Sequence, residues 1–330
     1  MSLRKPILWA SAIGTMAGGA ILIKDYCGGK RYENPIMIDN KTVIITGANT
    51  GIGKETAREL AKRNGKVIMA CRDMNKCEQA REEIVLETKN KYVYCRMCDL
   101  SSQDSIRKFV DEFKKEHDKL HILINNAGVM RCPQSKTKEG IEMQLGVNHM
   151  GHFLLTNLLL DVLKKSAPSR IINVSSIAHM RGVINTEDLN YDKNYDGSRA
   201  YSQSKLANIL FTIELAKRLK GTGVTVNAVH PGLVDTEITR HMSYFSSYLS
   251  GFILKPLIWM FIKNPRQGAQ TTVYAALDPS LENVTGKYFS NCAESRTSLT
   301  AQDEHLARWL WMVSEKWTKI DKKTKLENSV

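Results

Sequence analysis

Short apolar runs alternate with longer amphipathic segments along most of the chain, from residue 41 onward. The apolar runs are rich in β-branched residues and lack polar alternation, which is typical of strands buried on both faces. They predict strands at residues 42–46, 66–70, 92–98, 121–124, 170–174, 224–229 and 287–289. The intervening segments predict helices at residues 51–63, 74–88, 101–116, 146–165, 199–219 and 265–277. This alternation predicts an α/β fold, a doubly wound parallel sheet of seven strands with helices on both faces.

The N-terminal segment differs from the rest of the chain because residues 6–23 carry no charge. About 18 apolar residues are just enough for a helix to span hydrocarbon. Basic residues flank the segment on both sides, so the positive-inside rule gives no orientation. A signal anchor or membrane-bound helix is favoured, with a cleaved signal peptide and a helix packed on the domain as alternatives. The predicted organisation is an N-terminal anchor helix at 1–30, a nucleotide-binding domain at 38–293 and a basic, polar C-terminal extension at 294–330.

Charge and cysteine content narrow the classes of partner. The net charge is +13, and much of the excess lies near the two ends of the chain. No zinc-finger or RNA-binding pattern accompanies it, which argues against nucleic acid and favours an anionic membrane surface. The seven cysteines are odd in number and scattered, which argues against a disulfide framework. Cys95 and Cys98 lack the second pair that a metal site needs, so structural cysteines and no metal are predicted.

A glycine-rich turn, Gly47-x-x-x-Gly51-x-Gly53, follows the first predicted strand and opens the first predicted helix. Glycines let the backbone approach a pyrophosphate, and the helix N-terminus offers it free amide groups. A glycine cluster alone is compatible with an ordinary tight turn, but this context favours a dinucleotide site of the Rossmann type. The predicted cofactor contacts in this turn are Gly47, Asn49, Thr50, Gly51, Ile52 and Gly53.

The second predicted strand indicates which dinucleotide binds. An acidic residue at its tip would accept a hydrogen bond from a ribose 2′-hydroxyl and favour NAD. Cys71 occupies the tip and Arg72 follows it, and a guanidinium suits a 2′-phosphate, so NADP(H) is the predicted cofactor. Lys54 is a candidate second cation, although both charges are also compatible with a solvated surface. Asp99 is predicted to accept from the adenine amino group, and the cofactor ribose is predicted to pass Asn126, Ala127 and Gly128.

Three polar residues form a candidate proton-transfer site. Ser176 ends the fifth predicted strand, and Tyr201 and Lys205 share one face of the next helix, because positions i and i+4 are neighbours. A free tyrosine has a pKa of about 10, and an adjacent ammonium lowers it. Tyr201 can then exchange a proton with a carbonyl or alcohol oxygen that Ser176 holds by a hydrogen bond. The Tyr-x-x-x-Lys spacing is common in helices, so its meaning depends on its place after the serine-ending strand.

On these motifs the chain resembles the short-chain dehydrogenase/reductase family, from about residue 41 to residue 289. The resemblance implies that Tyr201 is the acid/base and that Ser176 orients the substrate. It also implies that Lys205 lowers the tyrosine pKa and binds the nicotinamide ribose, and that Asn148 holds a proton-relay water. By the same resemblance the cofactor contacts include Tyr201, Lys205, Pro231, Gly232 and Thr236.

Within that family, the runs 125–133, 146–160 and 230–237 resemble the retinol dehydrogenases. The resemblance implies an NADP-dependent enzyme that interconverts retinaldehyde and retinol, mainly by carbonyl reduction. The N-terminal runs 14–18 and 24–26 look most like the member associated with mitochondrial membranes, whereas its relatives belong to the endoplasmic reticulum. Two alternatives stay open, a reductase of other lipophilic carbonyls such as steroids or lipid aldehydes, and a non-catalytic NADP-binding membrane protein. Homo-oligomer formation also stays open.

The substrate side is expected to follow Gly232 in the sequence. Residues 252–262 are apolar but too short and interrupted for a membrane span. An apolar lid over the substrate is favoured there, with an interfacial helix and core packing as alternatives. Met143, Met150 and Met180 are candidates for lining the pocket or for filling the core. The lid and the interfacial helix both indicate a lipophilic substrate drawn from a membrane.

Overall fold

The computed structural model describes residue 15, residues 18–19, residues 21–238 and residues 262–320. Within these ranges the predicted strands and helices are present, with small shifts at their ends. Residues 252–261 of the apolar lid predicted at 252–262, and more than half of the anchor predicted at 1–30, lie outside the described residues.

A single sheet forms the centre of the described part of the chain. Its strands are β1 (Thr42–Thr46), β2 (Lys66–Cys71), β3 (Val93–Met97), β4 (Ile122–Asn125), β5 (Ser169–Val174), β6 (Val224–His230), β7 (Tyr288–Ser290) and β8 (Ala293–Glu294). Their order across the sheet is β3-β2-β1-β4-β5-β6-β7-β8. Strands β1 to β7 pair in parallel, which confirms the predicted parallel sheet, and β8 adds an antiparallel edge. Strand β8 was not predicted, because a strand of two residues has no periodicity to detect.

Helices cover both faces of the sheet. They are α1 (Gly51–Lys62), α2 (Met74–Thr88), α3 (Gln103–Glu116), α4 (Gly151–Lys165), α5 (Gly197–Arg218), α6 (Pro265–Leu277) and α7 (Glu304–Thr318). Helices α1, α2 and α6 bury one apolar layer, and α3, α4 and α5 bury the other. A π-helical turn, Gly146–Met150, leads into α4. The chain builds β2 and β3 on one side of β1 and then returns to β4 on the other side, so a crevice forms at the carboxyl ends of β1 and β4.

The C-terminal segment contributes α7 to the core, although sequence analysis expected only a polar extension. Trp311 packs edge-on against Phe153 of α4, with 4.9 Å between the ring centroids. Ser314 Oγ lies 2.9 Å from His149 Nε2. The buried positions of α7 recur at helical spacing, at Ala307, Leu310, Trp311, Ser314 and Thr318. The helical spacing of these positions is present in the sequence. The many lysines near the C-terminus led instead to the prediction of a basic, polar extension.

Near the N-terminus, residues 21–28 are helical. Within the described residues, no helix combines the length and apolarity that crossing a bilayer requires. The segment after this helix is attached to the domain, because the Lys30 amide donates to Asn291 Oδ1 at 2.9 Å and the Tyr32 amide donates to Gln270 Oε1 at 2.9 Å.

Cys77 of α2 and Cys95 of β3 form a disulfide. The odd number and scattered spacing of the cysteines predict no disulfide framework, so this single pairing is an addition to the expected structural cysteines. Cysteine spacing could not reveal it, because the fold brings the two residues together. The other described cysteines, Cys27, Cys71, Cys98, Cys132 and Cys292, are free thiols.

Candidate functional site

A cavity of about 1700 Å³ opens at the carboxyl ends of the strands, where the strand order reverses. Almost all the predicted site residues line it, although they come from distant parts of the chain. They are Gly47, Asn49, Thr50, Gly51, Ile52, Gly53, Arg72, Asp99, Asn126, Ala127, Gly128, Ser176, Tyr201, Lys205, Pro231, Gly232 and Thr236. Asn148 does not line the cavity, because it is fully buried beside Gly128.

The glycine turn between β1 and α1 leaves no space for side chains. Gly47 has a φ of +64°, in the left-handed region that favours glycine. A Cβ atom on Gly53 would lie 2.4 Å from the Gly47 carbonyl oxygen and 2.5 Å from Asn126 Nδ2. The Thr50 side chain makes no capping hydrogen bond to α1, so the first amide groups of the helix stay available to an anion. The residues of this turn therefore fit a pyrophosphate.

Charged side chains lie where the next strand ends. Arg72 and Lys76 both line the cavity there, beside Asp73, and Lys76 Nζ lies 3.8 Å from Glu237 Oε2. Burial raises the pKa of Cys71 to about 12, so the strand tip carries a neutral thiol where an NAD site would have a carboxylate. Lys54, the expected second cation, instead pairs with Glu83 at 2.6 Å and does not line the cavity. Sequence analysis missed Lys76 because only the fold brings the first turn of α2 to the cavity.

Two neighbouring serines at the end of β5 have different roles. Ser175 Oγ donates to the Lys205 carbonyl oxygen at 2.8 Å and so ties β5 to α5. Ser176 Oγ accepts from the Ala178 amide at 3.2 Å and hydrogen-bonds the Tyr201 phenol. His179 Nδ1 donates to the Ser176 carbonyl oxygen at 2.6 Å, which fixes the backbone of this loop. Of the two hydroxyls, that of Ser175 is committed to the main chain of α5 and that of Ser176 is not.

Tyr201 lies inside the cavity wall, and its phenol is protonated at neutral pH. Burial raises the pKa of Tyr201 to about 12, while the hydrogen bond with Ser176 and the charge of Arg131 act in the opposite direction. The sequence predicts that Lys205 lowers this pKa. Lys205 Nζ lies 5.7 Å from the centroid of the Tyr201 ring, but its charge is not among the causes of the shift, and burial sets the direction.

Lys205 is almost completely buried, and its ammonium donates to the Val174 carbonyl oxygen at 3.1 Å. Burial lowers the pKa of Lys205 to about 8, because a buried ammonium loses its hydration. The charge that would stabilise a tyrosinate is therefore lost as the pH rises through about 8.

The side chain of Asn148 is fully engaged by the protein. Its Oδ1 accepts from the Val129 amide at 2.8 Å. Its Nδ2 donates to the Val129 carbonyl oxygen at 2.9 Å and to Ser204 Oγ at 2.9 Å. The amide thus fixes the cavity wall that follows Gly128. The main-chain carbonyl oxygen of Asn148 also has a partner, His152 Nδ1 at 3.0 Å, and the relay water stays a prediction.

Several cavity residues were not predicted from the sequence. Arg131, His230 and Lys263 line the space beside Tyr201, and Ile21 and Lys24 reach it from the N-terminal helix. None of them belongs to a motif with recognisable spacing. The three candidate methionines do not line the cavity, since Met143 and Met150 pack in the core and Met180 is 47% exposed.

Comparison with known proteins shows which family this chain belongs to. A family model of short chain dehydrogenases matches residues 41–245. Retinol dehydrogenase 13 from Mus musculus is 55% identical over 309 residues, which cover 93% of this chain and 92% of that protein. Retinol dehydrogenase 12 from Mus musculus is 54% identical over 291 residues, which cover 88% of this chain and 90% of that protein. The resemblance of the sequence to this group is confirmed.

Solved structures share the fold. The crystal structure of an uncharacterised protein from Mycobacterium paratuberculosis has a TM-score of 0.71 and 36% identity, covering 88% of this chain and 98% of that one. The RhlG/NADP active-site complex from Pseudomonas aeruginosa has a TM-score of 0.62 at 24% identity, covering 77% of this chain and 95% of that one, and shows the shared fold alone. This chain therefore belongs to the short chain dehydrogenase family, as an oxidoreductase that uses a nicotinamide cofactor.

Proposed function

We propose that this oxidoreductase interconverts retinaldehyde and retinol with NADP(H), mainly in the direction of carbonyl reduction. The observation that carries the proposal is the convergence of Ser176, Tyr201 and Lys205 on one cavity that also contains the glycine turn. The substrate class is supported by the retinol dehydrogenases that are 55% and 54% identical over most of the chain.

The chemistry divides between the cofactor and three side chains. A bound nicotinamide supplies the hydride. The Ser176 hydroxyl donates a hydrogen bond to the carbonyl oxygen and holds it near Tyr201. The Tyr201 phenol donates the proton that this oxygen needs, and the Lys205 ammonium stabilises the tyrosinate that forms. The high pKa of Tyr201, about 12, supports the reducing direction, because a protonated phenol is the form that donates.

The preference for NADP(H) is supported by charge at the adenosine end of the cavity. Arg72 and Lys76 line this end, and a guanidinium can bind a 2′-phosphate through two parallel hydrogen bonds. The neutral Cys71 offers no carboxylate to a 2′-hydroxyl. Asp99 lines the same region and has the acceptor oxygens that an adenine amino group needs.

A membrane source for the substrate is supported by the N-terminal helix at residues 21–28. Ile21 and Leu22 are 61% and 73% exposed, and Tyr26 is 89% exposed. Ile21 also lines the cavity, so the exposed apolar surface continues into the site. A lipid surface would cover these side chains and deliver a lipophilic substrate to the cavity. We therefore infer membrane association, at the mitochondrial inner membrane or the endoplasmic reticulum.

The substrate proposal is tested by assaying the purified protein with NADPH and three carbonyl compounds, namely retinaldehyde, a steroid ketone and a medium-chain aldehyde. The highest kcat/KM is expected for retinaldehyde. A higher kcat/KM for either of the other compounds would show that the preferred substrate belongs to that class of lipophilic carbonyl and is not a retinoid. NADPH binding without turnover of any of the three would indicate a non-catalytic cofactor-binding protein.

The pH dependence of carbonyl reduction should follow Lys205. Burial lowers the pKa of Lys205 to about 8, so its charge, and the reduction rate with it, should be lost as the pH rises through this value. Tyr201, with a pKa of about 12, stays protonated over the same range. The measurement is kcat/KM for reduction as a function of pH. In Lys205→Arg the charge persists, so the fall near pH 8 should disappear; the same fall in this variant would assign the titration to another group.

A further inference from the structure

A buried histidine of α4, His152, connects the cofactor turn to the π-helical turn that carries Asn148. His152 Nδ1 lies 3.0 Å from the Asn148 carbonyl oxygen, and its Nε2 lies 2.9 Å from Thr46 Oγ1. Thr46 ends β1, immediately before the glycine turn. His152 therefore bridges two elements that approach the reacting centre from different sides.

The hydrogen bonds of His152 have only one consistent arrangement. A carbonyl oxygen can only accept, so His152 Nδ1 carries the proton that it donates to Asn148. In a neutral imidazole His152 Nε2 then accepts, and the Thr46 hydroxyl donates to it at 2.9 Å in preference to the Ile124 carbonyl oxygen, which lies 3.5 Å away. Thr46 Oγ1 in turn accepts from the Asn126 amide at 2.9 Å and from the Ala127 amide at 2.9 Å. The hydroxyl thus makes all three of its hydrogen bonds, and the network is complete only with a neutral histidine.

The surroundings keep His152 neutral. Burial lowers its pKa to about 4, and the nearby charge of Lys205 acts in the same direction. His152 does not line the cavity, so it does not touch a substrate. The backbone that it fixes through Thr46 does border the cavity, because Asn126 and Ala127 line it. Gly128 lies between Asn148 and Lys205. A Cβ atom on this glycine would lie 3.2 Å from Asn148 Oδ1 and 3.6 Å from Lys205 Nζ.

We propose that His152 is a positioning residue, which holds the Asn148 carbonyl and the Asn126–Ala127 amides in fixed register around Lys205. His152 contacts Thr46, which binds the Asn126 and Ala127 amides, and it contacts Asn148 in the π-helical turn. The bridge therefore sets the distance between these amides and the π-helical turn. This inference rests on the proposed reaction, because it assigns His152 to the geometry of proton transfer and not to the binding of substrate.

Three variants test the proposal by kinetics. His152→Phe keeps an aromatic ring of similar size but removes both hydrogen bonds, and kcat should fall roughly 100-fold with little change in the KM of the carbonyl substrate. His152→Gln offers a neutral donor and an acceptor, and should restore most of the lost kcat. His149→Phe is the matched control. His149 is also buried, three residues earlier, but it faces Ser314 of α7, so its loss should leave kcat unchanged.

A spectroscopic measurement on the wild-type protein without cofactor is independent of activity. In ¹⁵N-histidine NMR, with the His152 signal assigned by its absence in His152→Gln, His152 should remain the neutral Nδ1–H tautomer from pH 5 to pH 8, where about 6.5 is the ordinary histidine pKa. An Nε2–H tautomer, or titration in this range, would overturn the proposal. This measurement decides the question if His152→Phe does not fold.

The kinetic outcomes also separate this proposal from the proposed function. All variants are compared with wild type on whichever carbonyl compound the wild type reduces best, so failure with retinaldehyde removes only the substrate assignment. Equal loss of kcat in His152→Phe and His152→Gln would overturn the positioning role. An equal loss in His149→Phe would also overturn it, because it would show a general effect of disturbing this part of the core.

Discussion

Tyr201→Phe should lower kcat for retinaldehyde reduction by roughly 1,000-fold, the scale expected when a general acid is removed. The substitution removes one hydroxyl from a buried ring and leaves the glycine turn and Arg72 unchanged. NADPH binding should therefore remain close to that of the wild type. Turnover is measured by retinol formation, and cofactor binding is measured separately by the fluorescence of bound NADPH.

Tyr288→Phe is the matched control for this experiment. Tyr288 is also buried, and its hydroxyl has no hydrogen-bond partner within the described residues. Removing an unpaired buried hydroxyl should cost little or no stability and should leave turnover unchanged. Retained turnover in Tyr201→Phe would exclude the phenol as the proton donor, whereas equal loss in both variants would indicate a packing effect.

Arg72→Glu should weaken NADPH binding by roughly 100-fold, because one or two charge-assisted hydrogen bonds are replaced by repulsion between a carboxylate and the 2′-phosphate. NADH lacks this phosphate, so its affinity should change little. The measurement is the dissociation constant of each cofactor for wild type and variant, at one fixed ionic strength because the exposed guanidinium is screened by salt.

Arg81→Glu provides the control for charge reversal. Arg81 lies on α2, pairs with Glu78 at 2.5 Å and does not line the cavity. It should therefore leave both dissociation constants unchanged. Equal weakening of NADPH and NADH by Arg72→Glu would remove the argument for NADP(H) and leave only a nicotinamide dinucleotide.

The sheet and the cofactor turn were predictable because each depends on local sequence. Strand β1 was predicted at its observed limits, since a β-branched run before a glycine turn has few other interpretations. The placement of Ser176, Tyr201 and Lys205 on one cavity also followed from their positions after strand ends. Parallel strands bring such positions to the same edge of the sheet, so the order of elements alone predicts that these residues meet.

Features that depend on contacts between distant residues could not be predicted. Lys54 forms an ion pair with Glu83 of α2 and does not line the cavity. Lys76, also on α2, lines the cavity instead. The bridge from Thr46 through His152 to Asn148 joins residues that share no motif. The direction of the Tyr201 pKa shift could not be predicted either. The sequence motif identifies the neighbouring cation, but it does not show how deeply the phenol is buried.

Transfer of deuterium tests the central claim most directly. The purified protein is incubated with retinaldehyde and NADPH in which both hydrogens at the nicotinamide C4 position are replaced by deuterium, and retinol is analysed by mass spectrometry. The proposed function predicts retinol with one deuterium on the alcohol carbon from the wild type, and almost none from Tyr201→Phe. Failure of the wild type to form retinol, or formation of retinol without deuterium, would contradict hydride transfer from the cofactor to retinaldehyde.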